Sequence, residues 1–164
     1  MTTLYVDNIA PNLQSRVSVP GHVIQVVQEV QTTQSVTTSA AWSATNITAS
    51  ITPTSTSSKI YCSITGGMNG FAGGTGVVQG FFKIYRDIGG GGFSSLESTT
   101  RGKMTIYGPG SEYMPLSLSA LDTPSTTSAC TYTLYFNNYS ASLNLSTCRD
   151  SNGEVQITLM EIAG

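Results

Sequence analysis

Apolar residues in this chain recur at every second position, in segment after segment. Ile47, Ala49 and Ile51 alternate with Asn46, Thr48 and Ser50, and Ile60, Cys62 and Ile64 alternate with Tyr61 and Ser63. Leu116, Leu118 and Ala120 repeat the pattern within Met114–Ala120. Cys130, Tyr132, Leu134 and Phe136 share one face of Ala129–Asn137, as do Val155, Ile157 and Leu159 in Glu154–Ile162. A period of two sends successive side chains to opposite faces of a strand, so each segment reads as a half-buried strand. No useful window carries apolar residues at i, i+3, i+4 and i+7, the spacing a helix needs to bury one face.

Other segments fit the same reading. Val23–Val30 is β-branched and long enough for one strand. Val77–Arg86 puts Phe82 and Ile84 on one face and Phe81, Lys83 and Tyr85 on the other. Weaker strands are expected at Lys103–Tyr107 and around Leu143 and Leu145. Between them lie turn signals: Pro53–Ser58, a Gly-rich irregular stretch at 66–76, a flexible loop at Gly89–Gly92, and Asp150–Gly153, whose Asn and Gly tolerate positive φ. Eight or nine strands with such turns predict an all-β fold, an antiparallel β-sandwich of jelly-roll type over residues 21–164. The final strand ends two residues from the end of the sequence, which predicts that this end is fastened into a sheet.

Residues 1–20 differ. Leu4, Tyr5, Val6 and Ile9 precede Pro11, and Val17 and Val19 precede Pro20-Gly21. The segment is too short and too broken to fold alone, so it reads as an extended arm whose apolar residues need a partner surface. It lacks the basic start and long apolar core of a signal peptide, which predicts synthesis in a cytosol without general export.

Charge narrows the function classes. Only 10% of the 164 residues are charged, with a formal net charge of -2, against roughly 25% charged in ordinary domains. Ser and Thr, roughly a quarter of the chain, carry the polarity instead. No basic block offers itself to a nucleic-acid backbone, and no apolar run reaches the ~18 residues of a membrane helix. Charged edges are a common guard against strand-to-strand association. A surface of Ser, Thr, Gly, Asn and aromatics meets a copy of itself at little desolvation cost, which predicts an oligomer.

Chemistry-bearing residues are sparse. His22 is the only histidine and follows Pro20-Gly21 with no nucleophile signature nearby, so no catalytic residue is expected. The nine carboxylates fall mostly at turns and strand ends, where a solvated role is expected, and no cleft signal brings two together for glycoside hydrolysis. Cys62, Cys130 and Cys148 have no C-x-x-C spacing and an odd count. Neither a disulfide framework nor a zinc site is expected; Cys62 and Cys130 should fill strand positions as small hydrophobes. Asp150–Glu154 lacks the third acidic ligand and the closing Glu of a calcium loop, so no metal or cofactor is expected. The Gly-rich stretches at 73–76 and 89–92 lack the following Gly-Lys-Ser/Thr of a phosphate loop. They read as mobile loops at one end of a sandwich, with Phe71, Phe93, Tyr107 and Tyr113 nearby as candidate contacts for a sugar ring or a partner's pocket. Three glycosylation sequons, at Asn46, Asn138 and Asn144, are cheap matches in a chain this rich in Ser and Thr.

Five stretches taken in order carry a family resemblance: Thr3–Ile9, Pro20–Gln28, Ile51–Ile60, Leu121–Pro124 and Thr158–Ile162. The chain resembles small virion structural proteins of tailed bacteriophages, marine and cyanobacterial ones notably, of the tail-fibre or fibre-like kind. The resemblance implies an attachment arm, with Leu4, Tyr5, Val6 and Ile9 holding another virion protein, and a jelly-roll head that forms a homotrimer. It implies a virion protein assembled in the host cytoplasm, whose exposed end meets a host receptor or glycan, and no catalytic residues. The middle of the chain, residues 66–113, matches least and is where host-specific contacts are expected. A capsid decoration protein that clamps the phage head is the alternative. A polysaccharide-degrading spike would need a larger grooved body.

Overall fold

The alternation in the sequence is laid down as two antiparallel sheets. The structure is a computed structural model that describes residues 19–71, 77–109, 111–139, 144–148 and 153–164. Among them are eleven strands and no helix: β1 (Val23–Gln31), β2 (Val36–Thr37), β3 (Ser43–Ile51), β4 (Lys59–Phe71), β5 (Val77–Ile88), β6 (Ser94–Ser95), β7 (Met104–Pro109), β8 (Ser111–Asp122), β9 (Cys130–Asn138), β10 (Asn144–Thr147) and β11 (Val155–Ile162). Nine were expected in outline. The two-residue strands β2 and β6 are too short to show a period and were not.

Most of the first sheet runs β1–β11–β4–β8. Strand β4 is long enough to hold two neighbours end to end on one edge: β11 pairs with Lys59–Gly66 and β10 with Met68–Phe71. The second sheet runs β3–β9–β5, with β7 and β6 sharing the far edge of β5. Except between β5, β6 and β7, and at the two ends of the order, where β1 and β2 share a sheet as do β10 and β11, successive strands alternate between the sheets. The chain thus crosses the core repeatedly, and nearly every strand neighbour is distant in sequence.

The core is the set of inward residues the alternation marked. Ile47, Ile60, Ile64, Phe82, Ile84, Leu134, Ile157 and Leu159 are fully buried between the sheets. Each contributes on the order of 1.5–3 kcal/mol on burial. Cys62 and Cys130 sit among them, as expected of small hydrophobes. Gly80 also faces this core. A Cβ there would lie 2.6 Å from Leu145 Cδ2, so the glycine makes room for Leu145 and Ile106 rather than loosening the strand.

Two expectations about loops change. Residues 66–71 continue β4 and pair with β8 along their whole length; alternation was hidden there by the glycines. Gly89–Gly92 forms a hydrogen-bonded turn. Gly89 and Gly90 take φ of 60° and 82°, Gly91 N donates to Ile88 O at 3.1 Å, and Gly92 N donates to Asp87 Oδ1 at 2.8 Å. Of the arm expected at 1–20, residues 1–18 lie outside the described residues, as do Leu143 and most of the Asp150–Gly153 turn.

The end of the last strand is fastened as expected, and by more than its ladder. Ala163 N donates to His22 O and Gly21 N to Ala163 O, each at 2.8 Å. Glu161 turns inward and is fully buried. Its Oε1 accepts from Thr54 N, Thr54 Oγ1 and Ser58 Oγ, each at 2.7 Å, and its Oε2 accepts from Gln25 Nε2 at 2.6 Å. This corrects the expectation of a solvated strand-end carboxylate: the Thr/Ser loop after β3 supplies the donors that replace water. Burial pushes the carboxyl up, but the hydrogen bonds from Ser58, Thr54 and Gln25 outweigh it and hold Glu161 below the usual carboxylate range.

A folded-state pKa below the unfolded one means that stability from Glu161 is complete above pH ~4.3 and is lost as pH falls through the folded value. Glu161→Ala, which strands four donors and opens a cavity, is expected to cost about 3 kcal/mol or more. In Glu161→Gln the amide oxygen still meets the three donors while Gln25 flips and gives up its bond to Thr52 O, so the cost is smaller than for alanine and the acid sensitivity is blunted. Urea unfolding of the three proteins at pH 3.5 and pH 7 checks both.

Candidate binding face

Alternation also assigns the outward residues. On the second sheet, β5 turns Gln79, Phe81, Lys83 and Tyr85 outward, and β9 turns Thr131, Thr133, Tyr135 and Asn137 outward. Registered pairs put Lys83 opposite Tyr135, and Phe81 opposite Asn137. The result is an aromatic strip along the outside of this sheet. Tyr85 and Tyr135 stack with ring centroids 3.9 Å apart, Trp42 lies 6.5 Å from Tyr85, and Phe93 lies 5.9 Å from Tyr135. Lys83, 7% exposed, places its ammonium 4.7 Å from the Trp42 ring centroid, a cation held by an aromatic face. Burial and the adjacent Tyr135 push the Tyr85 phenol up.

Toward the other end of the strip lies a hollow of about 240 Å³, lined by Gln79, Phe81, Thr100, Arg101, Asn137 and Tyr139. Phe81 is buried against the sheet, whereas Tyr139 is 65% exposed, with ring centroids 5.9 Å apart and planes tilted by 56°. Tyr139 N donates to Gln79 O at 2.9 Å, which fixes the residue just past the end of β9. The Asn137 amide nitrogen donates to Ala40 O, and its Oδ1 is buried with no hydrogen-bond partner.

The four aromatics singled out in the sequence do not converge. Phe93 joins the strip against Tyr135. Tyr107, in β7, is exposed and registered opposite Gln79, on the same sheet as the hollow. Tyr113, in β8, belongs to the first sheet, opposite Asn69 of β4. Phe71 ends β4, and its side chain lies outside the described residues, as do Leu4, Tyr5, Val6 and Ile9. The residues that build the strip were missed as a group. Phe81 and Tyr85 were placed on one face, but Trp42 and Tyr139 lie at strand ends where no period points to them. A signal existed: on β5 the outward face carries two aromatics, Phe81 and Tyr85, and the inward face one, Phe82.

Several other ionisable groups hold the fold together. Arg86 Nη1 donates to Asp122 Oδ1 at 2.7 Å and Oδ2 at 2.6 Å, and Tyr132 Oη donates to Asp122 Oδ2 at 2.7 Å. This bridges the sheets, since Asp122 ends β8 while Arg86 and Tyr132 are registered partners on β5 and β9. Burial, then the bond to Asp122, keeps the Tyr132 phenol protonated. Glu97 fills the gap between β6 and β7, where its Oε2 accepts from Ile84 N at 3.1 Å; burial raises its pKa. Lys103 Nζ donates to Ser119 O at 2.7 Å, a lysine covering the edge of β8. Asp122 and Glu97, like Glu161, depart from the solvated role expected of the carboxylates. His22 is exposed at the start of β1. Among the described residues, no group of three or more His, Cys, Asp or Glu could hold a metal ion, and no helix is long and apolar enough to cross a membrane. Neither a protein-family model nor a curated protein matches this chain.

The thiols follow their burial. Burial, and then the charge of Glu97, pushes Cys62 up to about 12, and burial raises Cys130 and Cys148 as well. A thiolate is the reactive form. Native protein at pH 8 is therefore expected to leave all three cysteines unreacted toward an aromatic disulfide reagent over minutes, and unfolded protein to titrate three. Absorbance of the released thiolate reads the count.

Proposed function

We propose that this chain is a non-enzymatic bacteriophage virion protein of the tail-fibre or spike kind, with a jelly-roll head that assembles as a trimer and takes part in attachment to the host surface. The observation that carries the reading is the outer face of the first sheet. Val26, Met160, Tyr61 and Leu121 are registered side by side across β1, β11, β4 and β8. Val26 and Leu121 are 56% and 58% exposed. The next two rows are Gln28, Thr158, Ser63 and Ser119, then Val30, Gln156, Thr65 and Ser117. None of these twelve positions is charged. A sheet face whose central rows hold an apolar row and no charge, with Lys59 and Lys103 only at its borders, is costly to leave in water and cheap to cover with a copy of itself. A depression of about 390 Å³ between Tyr61, Ser119 and Lys103 offers a seat for a polar side chain of a partner.

The strand order supports the jelly-roll reading: β1–β11–β4–β8 faces β3–β9–β5–β7, and eight strands in two such sheets are the make-up of that fold. The resemblance of the five sequence stretches supports the virion setting, and the sparseness of charged groups, with Arg86, Glu97, Asp122 and Glu161 engaged in holding the sandwich together, supports a binding role over catalysis. Three copies multiply weak contacts with a surface without any new contact.

Light scattering on the full-length protein, beside protein lacking residues 1–20 and a Leu121→Glu variant, tests this. The expected result is a trimer for the first two and a monomer for the third. A monomeric full-length protein at micromolar concentration would overturn the trimeric head. Immunogold labelling of virions on the capsid shell, in place of the tail, would move the assignment to a decoration protein.

A further inference from the structure

The hollow on the opposite sheet has a composition that nothing in the fold requires. Its floor is the Phe81 ring and its wall the exposed Tyr139 ring. Asn137 lines it too; the residue is 7% exposed, its amide nitrogen is engaged with Ala40 O, and its Oδ1 is buried just beneath the surface without a donor. A buried acceptor left unmade costs about 1–3 kcal/mol, so a group that donates to it would recover that energy. Arg101 stands at the rim, exposed, and no ion pair or hydrogen bond engages it among the described residues. Thr100 adds a hydroxyl. At about 240 Å³ the hollow falls below the ~300–1,000 Å³ of pockets for drug-sized molecules and suits a single ring.

We propose that this hollow binds one pyranose ring of an acidic saccharide. The apolar C–H face of the sugar lies on Tyr139, a turn of the Asn137 side chain brings its Oδ1 to a ring hydroxyl that donates to it, and the carboxylate pairs with Arg101, whose planar fork matches it. A neutral sugar would use the aromatic wall and Asn137 but leave Arg101 unpaired. A peptide carboxylate would meet the Arg but has no rigid ring face for Tyr139. The proposal names a ligand class for the attachment reading above and rests on it for its biological setting alone.

Titration calorimetry on the full-length protein tests it, with galacturonate and glucuronate trimers as acidic probes and maltotriose as the neutral one. At least one acidic trimer is expected to bind saturably, at least about tenfold tighter than maltotriose, since a charge-assisted hydrogen bond is worth about 1.5–3 kcal/mol. Arg101→Gln is expected to remove that preference, and with it the weakening by added salt. Tyr139→Ala is expected to lower affinity about tenfold for acidic and neutral probes alike. Both side chains are exposed, so circular dichroism should show folded variants. Absence of saturable binding at millimolar probe, equal affinity for maltotriose, or an unchanged Tyr139→Ala would each overturn the site. A trimer that fails to bind sinks this site and leaves the fibre reading intact; a monomer that binds does the reverse.

Discussion

A buried carboxylate without a cation organises one end of this molecule. Glu161 sits in an inward-facing row that runs Gln25, Glu161, Ile60 and Asp122 across β1, β11, β4 and β8. Its four donors come from β1 and from the loop after β3. An isolated charge in that position would be prohibitive, and hydrogen bonds to the charged form are what make it tolerable. The same row ends at Asp122, which is tied to Arg86 and Tyr132 of the other sheet. Two carboxylates therefore pin the last strand, the first strand, one crossing loop and both sheets. Three of the few charges of this chain, Glu161, Asp122 and Arg86, are used inside, at a joint.

The two outer faces carry few charges, Lys59 and Lys103 on the first and Lys83 and Arg101 on the second, and alternation lets them diverge. The first sheet presents a flat field of Ser, Thr and Gln with one apolar row. The second presents stacked aromatics around Lys83 and a small hollow with an unmet acceptor. The first suits a surface that repeats, since small polar side chains bury cheaply against copies of themselves. The second suits a ligand with one apolar face and several hydroxyls. The core separates the two faces, so one can change in composition without disturbing the other.

Much of the fold was legible because a half-buried strand writes its burial at every second residue. Ile47, Ala49 and Ile51, or Cys130, Tyr132, Leu134 and Phe136, are inward in the structure as their spacing requires. The reading failed where side chains carry no contrast. Gly66, Gly67 and Gly70 hid the second half of β4, and β2 and β6 are too short to show any period. The candidate aromatics were chosen for nearness to glycines in the chain, but chain proximity says nothing about faces. Phe93 and Tyr113 are on different sheets for that reason. Trp42, Tyr135 and Tyr139 were passed over although they meet Tyr85, Phe81 and Phe93 in space.

Local physics was thus enough to determine that this is an all-β sandwich, which residues fill it, and that its surface would be poor in charge. It depends only on the two-residue period and on side-chain type. Which strands are neighbours was decided by tertiary structure, since β1 pairs with β11 and β4 with β8 across long separations that no local pattern encodes. The same holds for the carboxylates. Glu161, Asp122 and Glu97 look alike in a sequence; only the fold shows that Thr54 and Ser58 meet the first, that Arg86 and Tyr132 meet the second, and that the third fills a gap in a sheet edge. Burial and partner are properties of three-dimensional neighbours, and they turn an ordinary acidic residue into a joint.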